Sequence, residues 1–389
     1  MKKFFIFAAM AGAVLVSCTK NEPAATNNEQ LITFAAPVVS LNTRSATEVW
    51  NNYPTGKAYD FAVWAKYFVD ANYSNGTYTT WDAGQTYMEE VLVSYNATDK
   101  TWAPASNYYW PKNGSLTFIG YAPASKASYA SVTDKGIVFT DYEVSATPSK
   151  QVDLLFSERT YNQKVSNMDN TSGDKVTGNT GAVKDDIYEG IHISFKHALS
   201  SILFNIKTAD DYTASTTITL QGITVQGAVT TATFNQNLND ANGAVTTAAA
   251  WDTNDNGNGP SEDYPVDITV DQEITTTPYY PSGITKETAA TNGVRATDLI
   301  LLPQNLDGVS VKINYTINNI GEGSLDDDGN TDPSEPLTQI AELPLGTTNV
   351  PAWEMGKRYI YNIVIGLDKI TFEPYVQDWV NVDMPVQYI

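Results

Sequence analysis

Two histidines, one cysteine and 44 carboxylates are the groups from which this 389-residue chain would have to build chemistry. His192 and His197 stand five apart in Ile191-His192-Ile193-Ser194-Phe195-Lys196-His197. Side chains alternate along a strand, so this odd spacing sends the two rings to opposite faces, where they cannot share a ligand. One surface histidine and one hydrogen-bonded structural histidine are expected instead. So few His and Cys argue against a multi-ligand zinc or iron–sulfur site. The single Cys18 cannot close a disulfide within one chain. Asp252-x-Asn254-x-Asn256-Gly257, with Asp263 at the twelfth position, imitates a calcium loop. An EF-hand needs flanking helices and a bidentate Glu at that last position, and both are missing, so no metal is expected there. The acidic stretch 326–332 is read in the same way. No G-x-S-x-G elbow, Walker A sequence or H-E-x-x-H occurs. By number alone the carboxylates leave a glycoside-hydrolase pair open, yet no two stand in a distinctive context. No catalytic residue and no cofactor are expected.

The elements that would position such groups are almost all strands. Phe61–Ala65, Leu116–Tyr121, Gly136–Phe139, Ile191–Ile206, Ile218–Val225, Leu299–Leu302, Val309–Ile317 and Tyr359–Ile365 are short runs rich in β-branched and aromatic residues. Gly, Asn, Asp and Pro clusters punctuate them at strand-like spacing. The pattern predicts an all-β chain built of sandwiches. Polar stretches at 158–186, 236–266 and 321–338 read as loops or boundaries, and the domain boundary is placed at the end of the first. Hydrophobic residues make up 42% and aromatics 11%, enough for real cores. The net charge of −21 excludes a nucleic-acid binder, which needs a basic face, and an electrostatic grip on anionic lipid. Trp50, Trp64, Trp81, Trp102 and Trp110 fall in the N-terminal half. Exposed, they would form a sugar-stacking platform; in strands, aromatics more often fill cores.

The N-terminus is an address. Met1-Lys2-Lys3 is a basic n-region, and Phe4 to Val16 is an apolar stretch too short to span a bilayer as a stable helix. Leu15-Val16-Ser17-Cys18 then resembles a lipobox, the signal cleaved before Cys in bacterial lipoproteins. Residues 1–17 are accordingly a signal peptide, and Cys18 is the residue that receives acyl lipid after lipoprotein signal peptidase acts. Residues 19–30 read as a flexible tether.

Both ends of the remaining chain alternate. Ile32-Thr33-Phe34-Ala35-Ala36-Pro37-Val38 begins a strand that Val39-Ser40-Leu41 continues out of phase. At the C-terminus Val380, Val382, Met384, Val386 and Tyr388 are apolar, with polar residues or Pro between them. That is a period of 2 with one apolar face. Pro385 cannot donate to a ladder, which suits an edge strand. Two readings stay open for this tail: the last strand of the C-terminal sandwich, or a donor strand that completes a neighbour's sheet by β-strand addition.

Several ordered segments resemble the fimbrillin family of Bacteroidetes, the type V pilins with their tip and anchor subunits. They are the lipobox; Leu41-Asn42-Thr43-Arg44-Ser45-Ala46; Tyr109-Trp110-Pro111 followed by Leu116 to Pro123; Val152 to Phe156; Ile193 to Ile202; Trp353 to Tyr361; and Asp378-Trp379. The resemblance implies two tandem transthyretin-like β-sandwich domains after a lipoprotein signal peptide. It implies a lipidated propeptide with the first strand at 18–44, an N-terminal sandwich at 45–186 and a C-terminal sandwich at 187–389. It implies cleavage after Arg44, before Ser45, by an Arg-specific extracellular protease, and polymerisation with other pilin subunits by strand donation at the outer membrane. Arg44 is the only Lys or Arg between Lys20 and Lys57. The competing expectation is a monomeric surface glycan-binding lipoprotein of β-sandwich domains.

Overall fold

The computed structural model describes residues 31–35, 38–40, 47–49, 60–69, 80–96, 101–164, 190–210, 216–238, 249–253, 260–268, 271–281, 299–319, 336–366 and 370–378. Its strands in the first half are β1 (Val38–Ser40), β2 (Thr47–Val49), β3 (Phe61–Phe68), β4 (Gln85–Asn96), β5 (Thr101–Pro104), β6 (Ser115–Ala122), β7 (Ala130–Thr133), β8 (Gly136–Glu143), β9 (Leu155–Ser157), β10 (Thr160–Gln163) and β11 (Ser194–His197). The second half contains β12 (Ser200–Thr208), β13 (Thr216–Val229), β14 (Thr231–Asn235), β15 (Ala250–Asp252), β16 (Ser261–Pro265), β17 (Gln272–Ile274), β18 (Leu299–Leu301), β19 (Ser310–Asn319), β20 (Leu337–Pro344), β21 (Lys357–Ile365) and β22 (Ile370–Asp378). Among the described residues there is no α-helix, only three short 3-10 turns. The chain is all-β, as its composition and punctuation predict.

Four sheets result. The largest has the order β2-β1-β11-β9-β6-β3-β4-β5, with β10 beside β6. The others run β15-β14-β8-β7, β18-β12-β21-β22 and β16-β13-β19-β20, with β17 on β13 in the last. The run Phe61-Ala62-Val63-Trp64-Ala65 is apolar at every position because β3 is buried on both faces. Phe61, Val63 and Ala65 enter one core cluster with Leu116 and Phe118 of β6. Ala62 and Trp64 enter another with Ile119 and Tyr121. The period of 2 thus divides one continuous apolar run between two cores.

The second of these cores continues through β12, β13, β19 and β21. The expected boundary near 187 lies outside the described residues. Beyond it, β11 still belongs to the first sheet, antiparallel to β9 and parallel to β1. The structure therefore corrects the single run expected over Ile191–Ile206. The chain changes sheet at Ala198-Leu199, where Ala198 N–H donates to Leu154 O at 2.8 Å and Leu199 O accepts from Gly356 N–H at 3.0 Å. β12 then pairs in parallel with β21 over eight positions, Ser201↔Arg358 to Thr208↔Ile365. Hydrophobicity cannot mark that change, because Ala198 and Leu199 at the crossing are as buried as the inward residues of the strands on either side.

Two buried glutamines act as extra peptide groups at the junctions between strands. Gln236 Oε1 accepts from Ile137 N–H at 2.9 Å while its Nε2 donates to Ser157 O at 2.8 Å. Gln304 Oε1 accepts from Val229 N–H at 2.8 Å, and its Nε2 donates to Leu302 O at 3.1 Å. Backbone groups at these junctions are satisfied in this way by side chains.

Candidate strand-acceptor groove

The segment Leu31–Ala35 lies in a groove of the first sheet and is bonded on both sides. Ile32 N–H donates to Tyr108 O at 2.7 Å, and Phe34 N–H donates to Trp102 O at 2.9 Å. On the other side Ala35 N–H donates to Ile191 O at 3.0 Å, and Ile191 N–H donates to Thr33 O at 2.9 Å. The pairing is antiparallel to Trp102–Tyr109 and parallel to Ile191. β1 prolongs the parallel run, with Val38 opposite Ser194 and Val39 opposite Phe195. Leu31–Ala35 therefore fills a slot between two separate pieces of chain, held by isolated bridges at Leu31 and Phe34, and the assigned strand of this segment is β1.

Alternation decides which side chains fill the slot. Ile32 and Phe34 are each 1% exposed, whereas Leu31 is 41% exposed. The Phe34 ring meets Phe61 edge-on at 5.5 Å and Phe118 edge-on at 5.8 Å. Phe61 in turn contacts Trp102 and Phe195, both at 5.6 Å. Such edge-to-face contacts add to the burial of the rings. Burying the two side chains contributes about 1.5–3 kcal/mol each, and the four backbone bonds about 1 kcal/mol net each. The sum, about 7–10 kcal/mol, matches the whole stability of many domains.

Gly190 makes the approach possible. Its φ is +95°, and a Cβ there would lie 2.5 Å from the Phe34 carbonyl carbon and 2.7 Å from Ala35 N. On the opposite wall the Tyr87 hydroxyl donates to Tyr109 O, fixing the backbone that faces Leu31. Below the groove, β11 is anchored at its end by His197, whose Nδ1 lies 2.9 Å from Asp153 Oδ1. Both side chains are almost fully buried, 2% and 3% exposed. His197 is thus the structural, hydrogen-bonded histidine that the sequence predicts, and His192 is half-buried.

The named site residues fall at the margins. Arg44 and Ser45 lie outside the described residues, within the six positions that join β1 to β2, whose ends pair as Ser40↔Thr47. Cys18, Val380, Val382, Met384, Val386 and Tyr388 also lie outside the described residues. The walls of the groove, Trp102, Tyr108 and Ile191 with Gly190, were not singled out from sequence as its parts. Their one signal is the alternation Ile191, Ile193, Phe195, which points those three side chains into the same core. The tryptophan platform is not present where it can be seen: Trp64, Trp81, Trp102 and Trp110 are 7%, 0%, 2% and 2% exposed. Trp50 lies outside the described residues.

The fold and the groove define an all-β protein in which an N-terminal segment completes a sheet made by later parts of the chain. The chain belongs to the fimbrillin-like family, whose model matches residues 66–379. In fold it is similar to a fimbrial protein from Bacteroides vulgatus, with a TM-score of 0.55 at 16% identity, over 90% of this chain and 100% of that one. A candidate cell adhesion protein from Bacteroides uniformis aligns over 90% of this chain and 98% of its own, at 15% identity and a TM-score of 0.41. The tip fimbrial protein Mfa3 from Porphyromonas gingivalis, with C-terminal truncation, aligns over 83% of this chain and 95% of its own, at 11% identity and a TM-score of 0.32. No curated protein matches the sequence.

Proposed function

We propose that this chain is a structural subunit of a cell-surface fimbrium of the type V kind, serving adhesion, and that it polymerises by β-strand donation. The observation that carries the reading is the burial of Ile32 and Phe34 in a slot bonded on both edges. A strand held only by its ladder and its side chains can be replaced by another with the same alternation. In this reading Cys18 is acylated during export, and an Arg-specific extracellular protease cuts between Arg44 and Ser45. The segment 31–43 then leaves, and residues 380–388 of another pilin subunit enter, Val380, Val382, Met384, Val386 and Tyr388 facing the core that Ile32 and Phe34 vacate. The organisation that goes with it is two tandem transthyretin-like sandwiches, 45–186 and 187–389, with β11 contributed to the first sheet. Its work is assembly at the outer membrane and in the fimbrium, not catalysis.

Cleavage alone does not expel the strand. The nicked segment keeps the four bonds and two buried side chains of Leu31–Ala35 and the pairing of β1 with β11 and β2, so release is a dissociation step, and the incoming strand must match what it replaces. The test is to treat the purified chain carrying Cys18→Ala with an Arg-specific protease, then record an intact mass and an unboiled gel. Loss of the fragment ending at Arg44 followed by a ladder of oligomers is the expected result. Cleavage at Arg44 with no ladder, under conditions that remove the fragment, would overturn self-assembly by this route.

A further inference from the structure

The outer edge of β20 carries features that strand exchange does not use. β20 is the last strand of its sheet, paired with β19 from Ser310↔Pro344 to Ile317↔Leu337. Among the described residues no strand pairs with its other edge. Leu337 and Ile340 are 57% and 63% exposed, the two most exposed large apolar side chains among the described residues. Exposed edges with apolar side chains are templates for pairing with another chain.

The hydrogen-bonding parity of that edge follows from one bond. Leu345 N–H donates to Val309 O at 2.9 Å, in register with the β19–β20 ladder. Alternate residues face the same way, so Leu337, Gln339, Ala341 and Leu343 bond to β19. Thr338, Ile340 and Glu342 then turn their N–H and C=O groups outward. Pro344 also faces outward, where it has no N–H to leave unpaired.

The sequence of the strand is close to a palindrome: Pro336-Leu337-Thr338-Gln339-Ile340-Ala341-Glu342-Leu343-Pro344. A two-fold axis through Ile340 sets Ile340 against Ile340, Leu337 against Leu343, and Pro336 against Pro344. The outward pairs Thr338–Glu342, Ile340–Ile340 and Glu342–Thr338 each exchange two bonds, and the prolines stop the ladder at both ends. No like charges face each other. The two Glu342 side chains would stand four residues apart along the strands, about 14 Å, beyond the Debye length in physiological salt.

We propose that β20 is an isologous interface at which a second copy of this chain pairs antiparallel about Ile340. The contact is independent of the Leu31–Ala35 groove and of cleavage at Arg44. A two-fold contact closes on itself and cannot extend a filament. Placed on the subunits of a head-to-tail polymer, it would join two filaments side by side, each further pair adding to the avidity.

The test uses the full uncleaved chain with Cys18→Ala, so that an introduced thiol is the only one. Ile340→Cys brings the two thiols onto the axis, at the Cα separation of a hydrogen-bonded pair, about 5.5 Å, within disulfide range. Leu337→Cys sets them six residues apart, about 20 Å, outside it. Mild oxidation is expected to give disulfide-linked dimer at least tenfold faster for Ile340→Cys. In that background Thr338→Lys, which faces Glu342 of the second copy, should speed cross-linking, and Thr338→Glu should slow it, the difference shrinking in high salt. All these positions are exposed, and an unchanged melting midpoint checks the fold. Equal cross-linking of the two thiols, or rates indifferent to the residue at 338, would overturn the proposal.

Discussion

Two strands of this molecule are bonded on both edges and buried beneath aromatic side chains, yet they differ in how they are held. β21 lies between β12 and β22, with eight paired positions on one side and nine on the other. Leu31–Ala35 has four backbone bonds, two on each side, and the same N-terminal segment includes β1, which pairs with β11 and β2 and is joined to β2 by the six residues that contain Arg44. The side-chain chemistry is the same. On the function proposed above, what separates a permanent strand from an exchangeable one is the length of its ladder and a covalent connection that a single cut can sever.

The sharpest way to break this comparison is to remove the cut. Arg44→Ala is expected to abolish the oligomer ladder after protease treatment and to leave a monomer of uncleaved mass; a normal ladder from this variant would end the switch. Next in size is the incoming strand. Val382→Asp with Met384→Asp should leave cleavage and the melting midpoint unchanged but reduce assembly at least a hundredfold, because two charges would have to enter an apolar slot. Filaments formed normally by the double variant would return the tail to the role of a terminal strand.

A matched pair of core truncations then separates the two strands. Phe34→Ala and Ile363→Ala each empty a nearly fully buried position, 1% exposed in both cases. Their expected costs to the uncleaved chain are about 3–5 and 2–5 kcal/mol. Denaturant melts should place them close together. Assembly kinetics should not: Phe34→Ala weakens the hold on the departing segment, so its release after cleavage should accelerate about 100-fold or more, at tenfold per 1.4 kcal/mol. Ile363→Ala should leave that rate within about twofold. If both variants change release equally, the two strands are not held in the different ways argued above.

Much of this contrast was legible in the sequence, and the illegible part has a physical reason. The runs at Phe61–Ala65, Leu116–Tyr121, Val309–Ile317 and Tyr359–Ile365 became β3, β6, β19 and β21, because continuous or alternating apolar residues over that length suit a strand. The alternation of Ile32 and Phe34 told which side chains go inward. It could not tell that Trp102, Tyr108 and Ile191 would be the neighbours, since a period of 2 specifies a face and not a partner. For the same reason Ile191–Ile206 read as one run although Ala198-Leu199 carries the chain from one sheet to another. β4 was passed over: its stretch Gln85–Asn96 is polar and partly exposed, and its register shifts around Glu90, which has φ +47°. β20 escaped notice because its apolar residues, Leu337, Ile340, Ala341 and Leu343, do not alternate, and Leu337 and Ile340 lie on the surface.

The smallest expected effect tests how closely the strand proposed to exchange is gripped. Gly190 stands at the groove wall with a φ of +95°, so Gly190→Ala meets two costs that occupancy of the groove separates. The backbone cost, about 1–2 kcal/mol for a side chain at positive φ, is present whether or not the slot is filled. The steric cost arises only when backbone lies where the Phe34 carbonyl carbon and Ala35 N now sit, 2.5 and 2.7 Å from the new Cβ. The uncleaved variant should therefore lose more stability than the cleaved, stripped subunit does, by about 1 kcal/mol or more. Any donor strand lying in the same place would meet the same obstruction, so the variant should also assemble more slowly after cleavage. Equal losses in the two forms, read from denaturant melts, would mean that the wall yields and that Gly190 serves the turn alone. A larger loss in the filled form would show that the slot is shaped to backbone as well as to side chains, which is what a groove made to receive successive strands requires.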